Sequence, residues 1–206
     1  MRNVCIEPYC IAADAVLRFT KKNICSRAEK KDMSFTPRNA DISICLVRCG
    51  IELNTGAINR SLSADMPEYD GIGILNSAYT ECGYVNFIVS DTFMLKCAEK
   101  INSGFTCILK TEIIELPESP EYAVMKLMNF AQLSDEFPFS RLNRRALWLC
   151  LGLAGNTDKT ILKRRLHTAA GASVRACSAQ NAALGGIPAL AMAKLISFAV
   201  DKLKGF

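Results

Sequence analysis

The stretch Glu81–Asp91 reads E-C-G-Y-V-N-F-I-V-S-D, an apolar run with an asparagine at its centre. Its β-branched and aromatic residues, bounded by a glycine and by a serine and an aspartate, predict a β-strand. Because side chains alternate along a strand, Tyr84 and Asn86 are expected on one face and Val85 and Phe87 on the other. The fold of the first half of the chain is built outward from this strand.

A second β-type run precedes the first, at residues 71–78, and the connecting Y-T-E-C predicts an antiparallel hairpin. After the hairpin, Ser90 or Asp91 is expected to cap a helix that continues to about Asn102. Helical patterns are also predicted before the hairpin, at residues 8–31, 42–53 with Asp41 as N-cap, and 57–64.

Residues 104–120 form an apolar, strand-like run that is closed by two prolines, which indicates a domain boundary. Beyond it, helices are predicted at about 120–133, 138–155, 157–183 and 188–204. The sequence therefore predicts an α+β N-terminal domain over residues 1–105, a linker over 106–119, and an all-α helical bundle over 120–206.

The composition is that of a globular chain, with 206 residues, 50% apolar residues and 22% charged residues. No run is long and apolar enough for a membrane span or a signal peptide, so a cytoplasmic protein without membrane contact is expected. The net charge of +5 is uneven. Residues 121–206 hold 12 Lys and Arg against 5 Asp and Glu, which suggests a surface that faces a polyanion.

Several kinds of chemistry are excluded by residue counts and spacings. The single histidine, His167, removes sites that need two histidines, and no phosphate-binding glycine loop occurs. Ten cysteines lie mostly inside apolar runs, as buried free thiols do, and the Cys45/Cys49 spacing lacks the further ligands of a zinc site. No catalytic residue, metal ion or cofactor is expected.

The strand motif C-G-Y-V-N-F-I-V-S-D resembles the G-[FY]-x-N-F-x-[LV]-S segment in the N-terminal additional domain of arginyl-tRNA synthetases. The earlier segment A-D-I-S-I-C-L-V is similar to that domain's G-D-x-[AS]-T-N motif. Ala40 replaces its glycine, and Ile44 and Cys45 replace its Thr-Asn pair.

The C-terminal part resembles the DALR anticodon-binding domain of the same enzymes. E-Y-A-V-M-K-L-M-N-F-A is similar to that domain's first helix, F-S-R-L-N-R-R-A-L-W-L-C-L-G-L-A to the second, and residues 164–189 to the long helix with its L-G-[IV] end. The matches cover about residues 35–105 and 120–190, and the catalytic domain that separates these modules in the family is absent between them.

The resemblance implies a role for the hairpin residues Tyr84 and Asn86. In the family, the aromatic residue and the asparagine of this motif contact a base of the tRNA D-loop. An unstacked base can lie on an aromatic ring while an amide reads its edge. The alternative is structural: Tyr84 would cap a core, and Asn86 would satisfy a turn or an edge backbone group.

Basic residues of the helical part form two further candidate RNA-binding sets. The first is a face at i, i+3, i+4 and i+7 with three arginines and an aromatic residue, which could hold phosphates and stack a base. The second is a basic helical stripe. The two sets are Arg141, Arg144, Arg145 and Trp148, and Lys159, Lys163 and Arg164. The alternatives are a core role for Trp148 and an ordinary solvated surface for the cations. Arg145 stands where the family often has an aromatic residue.

The sequence is therefore interpreted as a non-catalytic relative of arginyl-tRNA synthetase. It is expected to bind tRNA, with arginine tRNA as the first candidate, touching the elbow with its first module and the anticodon arm with its second. The alternative is a protein-interaction or regulatory module that partners a synthetase or a tRNA-modifying enzyme. The apolar final helix L-A-M-A-K-L-I-S-F-A-V-D-K-L favours that alternative.

Overall fold

The computed structural model of the chain describes residues 8–35, 40–50, 66–104, 119–133, 140–155, 158–178 and 186–205. The chain forms two compact units, which divide between Phe93 and Met94. We call Tyr9–Phe93 the α+β unit and the part from Met94 onward the helical unit. The predicted order, an α+β part followed by an all-α bundle, is confirmed.

The helices are α1 (Pro8–Asn23), α2 (Asp91–Gly104), α3 (Pro120–Leu133), α4 (Arg141–Leu151), α5 (Lys159–Ser178) and α6 (Gly186–Lys204), with a 3₁₀ turn at Lys30–Asp32. The strands are β1 (Met33–Ser34), β2 (Ile42–Cys45), β3 (Glu68–Tyr69), β4 (Ile72–Gly73), β5 (Leu75–Glu81) and β6 (Tyr84–Val89). In the part of the chain so described, no helix has the length and apolar character needed to cross a membrane.

The α+β unit is built on a four-stranded sheet with the order β1-β2-β6-β5, in which every neighbouring pair is antiparallel. Ile42, Ile44, Val85 and Phe87 are fully buried. The ring of Phe87 meets the ring of Phe19 from α1 edge-on, with 6.3 Å between the centroids. The buried face of the sheet therefore lies against α1, and burial of these aliphatic and aromatic side chains stabilises the unit.

The hairpin of β5 and β6 confirms the predicted antiparallel pair, but its turn is shorter than expected. Tyr79, Thr80 and Glu81 belong to β5 and pair with β6, so the connection is Cys82-Gly83 alone. Cys82 has φ 47° and Gly83 has φ 85°, the two positive values that a type I′ turn requires. The twist of this turn matches that of the flanking strands, which sets the register of the hairpin.

The helix predicted at residues 42–53 is wrong over its first part, because Ile42–Cys45 is strand β2. Short apolar runs do not separate helix from strand by periodicity alone, and pairing with β6 decides this one. Asp41 does not cap a helix. Its backbone N–H donates to the carbonyl of Phe87 at 3.1 Å, and its carboxylate accepts from the N–H of Val89 at 2.8 Å, which extends the ladder by one residue.

Helix α2 follows the sheet as predicted, since Ser90 Oγ accepts from the N–H of Phe93 at 3.3 Å at its first turn. From Met94 onward this helix belongs to the helical unit, whereas the sequence places the domain boundary at residue 105. Asn102 explains the difference: its Nδ2 donates to the carbonyl of Ile187 at 2.8 Å, and its own carbonyl accepts from Lys194 Nζ at 2.7 Å. Both partners lie on α6.

Helices α3, α4, α5 and α6 pack on one another and confirm the predicted bundle. Their centre is formed by fully buried side chains, among them Leu127, Leu147, Trp148, Leu151 and Ile196. The predicted helix at residues 57–64 and most of the predicted linker lie outside the described residues.

Candidate functional site

Strands β2, β5 and β6 bring a set of polar and aromatic side chains to the face of the sheet opposite the apolar core. Ser43 pairs with Asn86, and Cys45 pairs with Tyr84, while Glu81 pairs with Tyr84 from the other side. Since paired residues point to the same face, these five side chains are neighbours. The predicted placement of Tyr84 and Asn86 on one face is confirmed by the burial of Val85 and Phe87 on the other.

This face lines a cavity of about 570 Å³, which we call the sheet cavity. That volume lies within the range of sites that hold small molecules or single nucleotide bases. Its walls come from the 3₁₀ turn, β1, β2 and the β5–β6 hairpin. The lining residues are Asp32, Met33, Ser34, Ser43, Cys45, Arg48, Glu81, Cys82, Tyr84 and Asn86.

Asn86 is held in one orientation inside the cavity wall. The residue is 7% exposed, and its Oδ1 accepts a hydrogen bond from Ser43 Oγ at 2.5 Å. Ser43 is itself 2% exposed, so both partners are out of bulk water. Because the carbonyl oxygen of the amide is used in this way, Nδ2 is the group that Asn86 can offer to a ligand as a donor. The structural alternative has Asn86 satisfying a backbone group, whereas this bond joins it to the side chain of Ser43.

Tyr84 lies at the start of β6 and is 39% exposed, which places it among the exposed large hydrophobic side chains of the described residues. Its neighbour across the sheet, Cys45, is buried. Both side chains line the cavity, so the partly exposed phenol ring lies in its wall beside a buried thiol. An aromatic ring in that position offers one face to a flat ligand.

The charged groups of the cavity have different environments. Asp32 is 5% exposed, and its Oδ2 accepts from the N–H of Glu29 at 2.9 Å and from the thiol of Cys49 at 3.7 Å. Glu81 and Arg48 are exposed. The cavity thus combines two carboxylates with one guanidinium group.

The cysteines beside the cavity behave as structural thiols. Cys45 and Cys49 are both buried and free, as the sequence indicated. Burial, together with the nearby Cys25 and Asp32, raises the pKa of the Cys49 thiol to about 12. A thiol with such a pKa forms little thiolate, so it is a poor nucleophile and metal ligand. In the described residues, no group of three or more His, Cys, Asp or Glu side chains is arranged to hold a metal ion.

The predicted arginine face of α4 is not uniform. Arg141 is exposed, whereas Arg144 and Arg145 are half-buried and Trp148 has no exposed surface. A fully buried indole has no ring face on which a nucleotide base could stack. Trp148 is therefore a core residue, the alternative that the sequence left open, and it does not belong to the predicted RNA-binding set.

The basic residues predicted on α5 lie at the surface. Lys159, Lys163 and Arg164 are all exposed, and His167 is exposed one turn later. The intervening Leu162 and Leu166 are buried, so the helix is amphipathic and its polar side carries the positive charge. Exposed cations on one side of a helix can contact phosphates, and they can equally serve solubility.

Comparison of the chain with protein families, with curated proteins and with solved structures finds no match. The resemblance to arginyl-tRNA synthetases thus rests on the quoted motifs alone. The sequence alone does not identify the cavity neighbours of Tyr84 and Asn86, which are Asp32, Ser43, Glu81 and Arg48. The alternation in I-S-I-C was the available signal for Ser43, but nothing local marks Asp32, which reaches the cavity through the tertiary fold.

Proposed function

We propose that this protein binds RNA and that the sheet cavity receives an unstacked base. The observation that carries the proposal is the pairing of a half-exposed aromatic ring, Tyr84, with an oriented amide, Asn86, at a cavity of about 570 Å³. Proteins that read single-stranded RNA loops stack a base on an aromatic side chain and hydrogen-bond its edge. Both elements are present here on alternate positions of strand β6, Tyr84 and Asn86.

The helical unit supplies the second contribution, a positively charged surface. Residues 121–206 hold an excess of seven positive charges, and four cations of the predicted sets are exposed. They are Arg141, Lys159, Lys163 and Arg164. We infer that they contact the phosphate backbone, which gives affinity without sequence preference.

The resemblance to arginyl-tRNA synthetases makes tRNA the RNA to test first, with arginine tRNA at the head of the series. In this proposal the α+β unit holds a base of the D-loop and the helical unit holds the anticodon arm. The proposed role is recognition, without bond chemistry in this chain. The apolar final helix, which favoured a protein-interaction module, does not support that alternative, because most of its apolar residues are buried in the helical unit.

A gel-shift titration of arginine tRNA at low salt tests the proposal. Tyr84→Ala should weaken binding by about tenfold, because one base–aromatic stack is worth about 1–3 kcal/mol. Tyr84→Phe is the matched control, since it keeps the ring and should keep the affinity. Asn86→Ala should weaken discrimination among D-loop variants more than it weakens overall affinity.

The phosphate contacts are tested separately through the salt dependence of binding. Lys163→Gln combined with Arg164→Gln should make the plot of log K against log salt less steep. Lys202→Gln, on α6, is the matched charge control and should leave the slope unchanged. Failure of the wild-type protein to retard any tRNA at low salt would refute the proposed function.

A further inference from the structure

Two carboxylates stand in the wall of the sheet cavity, close to the residues proposed to hold a base. Asp32 is almost fully buried at the end of the 3₁₀ turn, and Glu81 ends β5 directly opposite Tyr84. An ionised carboxylate only accepts hydrogen bonds. Asp32 Oδ2 accepts from the N–H of Glu29 and from the Cys49 thiol, which leaves Oδ1 with acceptor capacity for a donor in the cavity.

Neither carboxylate is neutralised by an ion pair within the described residues. The ion pairs found there join Lys30 to Asp14, Lys31 to Glu29 and Lys96 to Glu99. Glu29, whose carboxylate lies 2.8 Å from the Lys31 ammonium group, is the main cause that raises the pKa of Lys31, and Asp32 is a smaller one. The cavity therefore keeps acceptor capacity that no cation of the described residues uses in an ion pair.

This arrangement restricts which part of a nucleotide can enter. A phosphate group would bring its negative charge against Asp32 and Glu81, so the backbone is disfavoured inside the cavity. A base edge with an exocyclic amino group would instead donate to a carboxylate. Cytosine and uracil have the same ring size and differ here: cytosine presents an amino group where uracil presents a carbonyl oxygen.

We propose that the sheet cavity selects a base that carries an exocyclic amino group over uracil, with Asp32 and Glu81 as the acceptors. This inference rests on the proposed function, because it assigns the chemical class of the base that the cavity receives. Asn86 Nδ2 donates to an acceptor on the same base edge, and the ring of Tyr84 holds the plane of the base. Arg48, the cation among the lining residues, meets the phosphate of that nucleotide outside the cavity.

The test is fluorescence anisotropy with two labelled single-stranded probes of equal length, oligo(C) and oligo(U). Backbone contacts are the same for both probes, so the ratio of their affinities reports the base edge alone. The wild-type protein should bind oligo(C) about tenfold more tightly, in line with the discrimination of a well-placed hydrogen-bonded pair. Glu81→Gln and Asp32→Asn should each reduce that ratio.

Glu81→Gln keeps the inference testable if Asp32→Asn does not fold, because Glu81 is exposed and makes no ion pair in the described part of the chain. Glu68→Gln is the matched control, an exposed carboxylate of β3 that does not line the cavity. Equal affinity of the wild-type protein for both probes overturns the inference and leaves the proposed function standing. A preference that both carboxylate variants retain also overturns it. Binding of neither probe, nor of tRNA, overturns the inference and the proposed function together.

Discussion

The hydrogen bond between Ser43 and Asn86 gives a prediction in which structure and binding are measured on the same variants. Ser43→Ala removes the donor and leaves Asn86 Oδ1 without its partner. Asn86 is only 7% exposed in the cavity wall, so water does not readily replace that donor. Leaving a buried polar group unsatisfied costs about 1–3 kcal/mol, so we expect the free energy of unfolding to fall by about 2 kcal/mol. Asn86→Ala should cost a similar amount, because it removes the acceptor and part of the packing around it.

The double variant Ser43→Ala, Asn86→Ala decides whether the bond is the cause. Once both side chains are removed, no unpaired amide remains, so the double variant should lose less unfolding free energy than the two single variants lose together. We expect a coupling energy of about 1 kcal/mol. The assay is urea unfolding followed by far-ultraviolet circular dichroism, in which a loss of about 2 kcal/mol shifts the midpoint by roughly 1 M.

The control for this cycle is Ser77→Ala, an exposed serine of β5, which should stay within about 0.5 kcal/mol of the wild type. Additive losses in the double variant would refute the reasoning, since they would mean that the two side chains act independently. Ser43→Ala should also weaken discrimination among D-loop bases, because a loosened amide no longer presents Nδ2 in one direction.

Three further predictions concern the rest of the molecule. Trp148→Ala should destabilise the protein by about 3–5 kcal/mol, measured by urea unfolding, because it empties a fully buried site; a loss below 1 kcal/mol would contradict the burial. Cys82→Asn should raise the melting temperature, since asparagine tolerates the left-handed φ of 47° better than cysteine does; an unchanged or lower value would count against a type I′ turn. Burial lowers the pKa of Lys194 from 10.5, so the folded state loses this proton at a lower pH than the unfolded state does. The free energy of unfolding should therefore rise with pH towards 10.5, relative to that of Lys194→Met. Parallel plots of unfolding free energy against pH for the two proteins would contradict this.

The parts of the fold that could be predicted from sequence are those with strong local signals. The hairpin strand around Phe87 and the helices of the bundle follow from β-branched runs, caps and proline breaks, and they lie where expected within a few residues. Strand β2 could not be assigned in this way, because four residues of I-S-I-C fit either period and long-range pairing with β6 decides the matter. No local signal indicates that α2 belongs to the helical unit from Met94 onward, because the bonds of Asn102 to α6 join residues far apart in sequence.

Only part of the candidate site could be predicted from the sequence, because several of its residues come together through long-range pairing. Tyr84 and Asn86 stand out within one strand, whereas Asp32 and Ser43 reach the cavity from other elements through sheet pairing and the 3₁₀ turn. Trp148 shows the opposite failure: helical spacing placed it with the arginines of α4, but spacing does not determine which side of the helix the bundle covers. Burial depends on tertiary packing, and the indole ring of Trp148 is buried in the core of the bundle.

The two faces of the sheet differ in a way that packing alone does not explain. On the face against α1, β2 and β6 present Ile42, Ile44, Val85 and Phe87, the fully buried aliphatic and aromatic side chains expected of a core. On the other face, Ser43 and Asn86 are nearly as buried, yet both are polar, and the Ser43 hydroxyl donates to Asn86 Oδ1. Apolar residues at both positions 43 and 86 would close that face and leave no polar group unpaired, and departures of this kind from the locally favoured residue occur mainly at functional sites. Asp32 is a further buried polar side chain of the same cavity, and a ligand that donates to its Oδ1 would add to the hydrogen bonds that its Oδ2 already accepts from Glu29 and Cys49.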